Sequence, residues 1–155
     1  MKIAILYDSK YGCTKEVAEF LADKAESANH EVQLFRTKGS KPSQLLGFGP
    51  EVLLVGTPTQ FGRPARPLGN YLKDMKKLIT RGSAGTVQKA AAFNCYQGDI
   101  ICNEIEKKIS EVYPNCQIHE QSLAVKTLGE RGPPLSDNWE ESSLKFILGF
   151  LEFLK

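Results

Sequence analysis

The sequence predicts an α/β fold: a doubly wound, five-stranded parallel sheet in the order 2-1-3-4-5, with helices on both faces. Two observations carry that expectation. Short apolar runs of strand length alternate strictly with amphipathic stretches of helical period, from one end of the chain to the other. The central runs are compact and apolar, as strands covered on both faces must be. No internal repeat, low-complexity tract or linker interrupts the pattern, so the 155 residues read as a single domain, 1–155.

Lys2–Tyr7, with Ile3, Ile5 and Leu6, is the first strand, and Lys15–Asn29 places Val17, Leu21, Ala25 and Ala28 at helical spacing. Glu31–Phe35 alternates and belongs near a sheet edge. Pro42 to Leu46 forms a brief helix with Ser40 near its start. Val52–Val55 is a central strand. Leu68, Tyr71, Leu72, Met75 and Leu78 mark a helix over Pro67–Ile79, and Gly82-Ser83-Ala84-Gly85 breaks the chain. Lys89–Phe93 is a strand whose alanines, Ala90 to Ala92, invite close helix packing. Ile101, Ile105, Ile109 and Val112 define a helix stopped by Pro114. Gln117–Val125 is the fifth strand and Gly129–Pro134 an irregular connection. Asp137 caps a final helix with a core face of Leu144, Ile147, Leu148, Leu151 and Leu154.

Bulk composition narrows the class. Hydrophobic residues at 41% and charged residues at 25% are ordinary for a globular protein. No apolar run approaches bilayer length, and Met1 leads straight into a strand, so neither membrane insertion nor a secretory signal is expected and the cytoplasm is the default. Cys13, Cys95, Cys102 and Cys116 lack C-x-x-C spacing, which argues against a zinc site or a disulfide framework. The net charge is only +2, and the Lys76-Lys77 and Lys107-Lys108 doublets read as solvated helix faces. Nucleic-acid binding is not expected.

In a doubly wound sheet, ligands bind beyond the carboxyl ends of the strands, at the reversal in strand order. That rim collects three polar, glycine-containing turns: Ser9–Thr14, Thr57–Pro64 and Asn94–Asp99. The first offers the Ser9 and Thr14 hydroxyls, close approach at Gly12, and the free N–H groups of a helix start, with Lys10, Tyr11 and Cys13 between them. It matches neither the Walker nor the dinucleotide glycine pattern, which leaves a monophosphate. The second and third turns set Phe61 and Tyr96 beside amides, hydroxyls and glycines, two flat walls suited to a planar ring. A flat heterocycle with one phosphate describes flavin mononucleotide (FMN).

With Ser9, Gly12 and Thr14 after the first strand, the chain resembles the flavodoxin family over essentially its whole length. The resemblance implies that Ser9–Thr14 holds the FMN phosphate. It implies that Thr57, Pro58, Thr59, Gln60, Phe61 and Gly62 form the first ring-binding loop, with Phe61 stacked on the ring. Gly62 corresponds to the glycine whose peptide turns toward the flavin. Asn94, Cys95, Tyr96, Gly98 and Asp99 correspond to the second ring-binding loop, with Tyr96 as its other wall. Three departures stand out: Tyr11 replaces a hydroxyl residue, Cys102 stands where an outer tyrosine is common, and Arg63 and Arg66 neighbour the flavin loop in a chain that is not acidic. Two positive charges there would make the flavin easier to reduce. Cys13, at a helix start, sits where a thiolate is stabilised, although a small residue beside the phosphate is the plainer reading.

The implied function is an electron carrier between redox proteins, with an acidic partner as the electrostatic complement. The alternative is an FMN-dependent NAD(P)H:quinone oxidoreductase, because Gly56–Gly62 is similar to a loop of the tryptophan-repressor-binding-type reductases. Those enzymes are longer and build their sites from inserted segments that this sequence lacks. A flavin-dependent regulatory domain is a third, weaker possibility.

Overall fold

The computed structural model describes residues 1–83 and 86–155; Ala84 and Gly85, half of the expected chain break, lie outside the described residues. The elements are β1 (Lys2–Tyr7), α1 (Cys13–Ser27), β2 (Glu31–Arg36), α2 (Pro42–Phe48), β3 (Val52–Gln60), β4 (Arg63–Pro64), α3 (Arg66–Thr80), β5 (Lys89–Tyr96), α4 (Cys102–Val112), β6 (Gln117–Ile118), β7 (Leu123–Gly129), β8 (Gly132–Leu135) and α5 (Trp139–Leu154). The parallel strands run β2-β1-β3-β5-β7, which is the predicted 2-1-3-4-5 order.

Alternation along each strand sorts the core into two layers. Ile3, Ile5, Val52, Leu54, Ala91 and Phe93 face α1 and α5. Ala4, Leu6, Leu53, Val55, Ala90 and Ala92 face α2, α3 and α4. Gly56 is required by packing: a Cβ there would lie 2.1 Å from the Phe93 ring.

Four expectations are corrected. β3 does not stop at Val55, because β5 pairs with it as far as Pro58–Cys95 and β4 folds back on Thr59 and Gln60. The single strand over Gln117–Val125 is two, β6 and β7, on the same partner β5. Between them His119 packs on Phe150 and Phe153, and the polar Glu120–Ser122 stretch lies outside both strands. The segment read as an irregular connection is a hairpin, with β8 antiparallel to β7. Asn138 rather than Asp137 caps α5, with no side-chain hydrogen bond.

The buried face of α5 is also rotated. Ser143, Phe146, Ile147, Phe150 and Leu154 are inside, while Leu144 and Leu148 are 38% and 54% exposed. Phenylalanine removes more apolar area from water than leucine does, so the Phe146–Phe150 edge of the helix takes the core. This assignment has a direct consequence. Phe150→Ala should cost about 3–5 kcal/mol of stability, and Leu148→Ala no more than about 0.5 kcal/mol. The shift in urea midpoint of each variant checks the difference.

Candidate functional site

The carboxyl ends of the parallel strands frame an open cleft of about 240 Å³. Ser9, Lys10, Tyr11, Cys13 and Thr14 line it from the loop after β1, and Pro58, Thr59, Gln60 and Phe61 from the end of β3. Cys95 and Gln97 close it from β5, and Thr127, Glu130 and Gly132 from the β7–β8 hairpin.

The first loop is organised by one hydroxyl. Ser9 Oγ accepts the N–H groups of Gly12 and Lys15, each at 3.2 Å. Both of its lone pairs are then used, so its own O–H is left to donate. Gly12, with φ 96°, turns the chain into α1 through a left-handed conformation. Arg36, at the end of β2, braces the loop by donating from Nη2 to the Ser9 carbonyl at 2.8 Å. Among the described residues, the N–H groups of Lys10, Tyr11, Cys13 and Thr14 have no acceptor. Thr14 Oγ1 is buried, and no partner satisfies it. The Cys95 thiol lies near, but sulfur is a weak hydrogen-bonding group and does not replace an oxygen partner. A buried orphan hydroxyl beside free helix-start N–H groups marks a place for an anion.

The second loop is a two-residue hairpin. Gln60 pairs with Arg63, and the residues between, Phe61 and Gly62, have φ of 52° and 73°. Positive φ at both central positions is the type I′ pattern, which is unusual for a phenylalanine. The turn holds the Phe61 ring entirely in solvent, at 104% relative exposure. Such strain is kept where a side chain has to be presented.

Asn94 ties the second loop to the third. Fully buried, it donates to the Thr57 carbonyl at 2.9 Å and to Thr59 Oγ1 at 3.1 Å, and accepts from Ile101 N at 3.0 Å. Thr59 in turn donates to the Asp99 carbonyl at 2.7 Å. Thr57 Oγ1 accepts from Ala65 N at 3.1 Å, fixing the entry to α3.

Ten of the expected residues thus line the cleft, while Gly12, Thr57, Gly62, Asn94, Tyr96, Gly98 and Asp99 do not. Gly12, Thr57 and Asn94 shape the loops from behind. Asp99 Oδ2 stands 3.2 Å from where a Gly62 Cβ would be, joining the third loop to the hairpin tip. Tyr96 is not on the wall; its carbonyl accepts from Thr127 Oγ1 at 3.3 Å. The second aromatic on the wall is Tyr11, the residue that looked like a lost donor. Arg63 and Arg66 line a neighbouring groove, which shares Gln60 and Phe61 with the cleft.

Gln97, Thr127, Glu130, Gly132 and the brace Arg36 escaped the sequence reading. The pair Gly129 and Gly132 around Glu130-Arg131 was the available signal for the fourth loop, masked by Pro133-Pro134. Burial pushes the Cys95 thiol up to about 12 and raises that of Cys13, with Glu16 adding to the latter. Cys13 is therefore not the stabilised thiolate that its place at a helix start suggested.

No protein-family model and no curated protein sequence matches the chain. Solved structures do. A flavodoxin from the domain Archaea aligns over 99% of this chain and 98% of its own, with a TM-score of 0.76 and 22% identity. The chain has a flavodoxin-like fold. Flavodoxin 2 from Bacillus cereus is similarly alike, with TM-score 0.75, 21% identity and 99% of both chains covered. The rubredoxin oxygen:oxidoreductase of Desulfovibrio gigas aligns with TM-score 0.80 and 17% identity over 99% of this chain. The present chain spans only 36% of that protein.

Two outcomes follow from the geometry of the cleft. Asn94→Ala should destabilise the protein by about 1–3 kcal/mol by leaving Ile101 N and the Thr57 carbonyl unpaired in the interior, read as a lowered denaturant midpoint. Because folding raises the pKa of Cys13 and Cys95, both stay protonated at pH 8. Iodoacetamide should therefore label them far more slowly in the native protein than after unfolding, as peptide mapping would show.

Proposed function

We propose that the protein binds FMN in this cleft and carries electrons between redox proteins. The observation that carries the reading is the unpartnered, buried Thr14 hydroxyl at the floor of a loop rich in free N–H groups. The residues present fit the group. Thr14 Oγ1, the Ser9 hydroxyl and the N–H groups of Lys10, Tyr11, Cys13 and Thr14 would hold the phosphate. Phe61 and Tyr11 would supply aromatic surface for the ring, and Thr59, Gln60 and Gln97 would supply polar contacts at its edges. When bound, the flavin supplies reversible one- and two-electron transfer.

What the chain itself does is hold and orient. Ser9 keeps the phosphate loop closed on itself, Arg36 fixes it against β2, and Asn94 sets the spacing of the two ring-side loops. The cleft wall carries Lys10 and Glu130 as its ionised residues and no histidine. His30 lies beside Met1, and His119 packs on the phenylalanines of α5. Neither histidine stands at the cleft, which supports carriage over histidine-based acid–base catalysis on a substrate.

The binding test is a titration of apoprotein with FMN, followed by quenching of flavin fluorescence. Thr14→Ala should weaken binding roughly tenfold to a hundredfold, from the loss of about 1–3 kcal/mol. That loss should exceed the effect of Tyr11→Phe, which keeps the ring. Protein that takes up no FMN ends the proposal. With FMN bound, chemically reduced protein should pass electrons to a one-electron acceptor, and should turn over NADPH with a quinone negligibly. Rapid NADPH–quinone turnover would assign it to the reductases instead.

A further inference from the structure

The β3–β4 hairpin has a second side. Behind it lies a groove of about 750 Å³ between the hairpin, α3 and α4, which shares Gln60 and Phe61 with the flavin cleft. On α3, Arg66, Asn70, Lys73 and Lys77 stand at i, i+4, i+7 and i+11, one exposed stripe about 16 Å long. Gly69 lacks a side chain on the flank of that stripe. There Lys108 Nζ of α4 approaches to 3.7 Å from where a Cβ would stand, adding its charge to the α3 row. Among the described residues, none of these cations is ion-paired.

Charge is segregated accordingly. From Arg63 to Arg81 the chain has six cations against Asp74 alone, a net +5. The whole chain is +2, so the remainder carries −3. Beside the positive stripe, Phe61 projects fully into solvent. An aromatic anchor bordered by arginines is the composition of a protein interface.

We propose that this groove docks the acidic surface of a protein redox partner, with Phe61 as its apolar contact. The inference rests on the carrier reading above and names the partner of that same site. A partner seated here touches Gln60 and Phe61, which also wall the cleft, so docking brings it to the cofactor's edge. The rim favours a protein over a nucleic acid. Glu104 and Glu111 stand beside Lys107 and Lys108 on the Arg63 side of the groove. A uniformly negative phosphate backbone is repelled there, whereas a predominantly acidic protein surface can present cations to those positions.

The test uses FMN-loaded protein and two probes of one haem and opposite charge: basic cytochrome c and its fully succinylated, acidic derivative. Dithionite-reduced protein is mixed with each ferric probe in stopped flow, one electron passing from flavin to haem per event. The acidic probe should be reduced faster at low salt, with a rate that falls as salt rises. The Arg66→Glu, Lys73→Glu, Lys108→Glu triple variant should lose that advantage by about tenfold or more, with FMN affinity unchanged. Equal rates for variant and parent overturn the proposal.

A second measurement separates the two readings. Amide shifts of the oxidised ¹⁵N-labelled protein, titrated with the acidic probe, should cluster on the hairpin, α3 and Lys108. Shifts there without electron transfer support docking and overturn carriage; electron transfer with shifts elsewhere does the reverse. A single-stranded oligonucleotide that occupies the groove more tightly than the acidic probe at physiological salt also overturns the proposal.

Discussion

The site depends on a single hydroxyl placed at the crossing from β1 into α1. Ser9 accepts two backbone N–H groups at once and thereby closes the loop that begins the helix. Because β1 lies between β2 and β3 in the sheet, that loop is buttressed from both sides. Arg36 reaches it from β2, and Asp8 N donates to the Gly56 carbonyl of β3 at 3.1 Å. With the loop held in this way, the neighbouring N–H groups cannot turn inward to find partners, and Thr14 is buried without one. The cost of that buried, unsatisfied hydroxyl is what a bound anion would relieve. The same hydrogen bonds that order the apoprotein's loop would therefore give it affinity.

Much of this was legible in the sequence, for a definite reason. Parallel strands and their helices leave strong periodic signals, and the topology of a doubly wound sheet places the binding rim without any coordinates. Where the reading failed, tertiary contacts overrode local pattern. Leu144 and Leu148 have faultless helical spacing, yet Phe146 and Phe150, around the helix from them, won the core. Tyr11 rather than Tyr96 lines the cleft because β5 runs on through Tyr96, where alternation along the strand turns Cys95 to the cleft and its neighbour away. Gly129–Gly132 was missed because two prolines conceal a short antiparallel pairing that tolerates them at the sheet's edge.

Charge was the least legible property. A net of +2 and two lysine doublets read as ordinary solvated surface. Only folding aligns Arg66, Lys73 and Lys77 along one helix and carries Lys108 across from another. A mean charge describes solubility; its distribution describes recognition.

Cleft and groove meet at Phe61, and that junction explains an otherwise costly turn. A glycine at position 61 would relieve the positive φ, and an inward-facing ring would bury apolar area now left in water. The hairpin does neither. It places an aromatic ring at the edge of the cleft on one side and at the head of a cationic groove on the other. A ring serving the cleft alone would gain by lying against its wall, and one serving the groove alone would have no cause to share that wall. The exposed, conformationally strained position is the one from which a single residue reaches both.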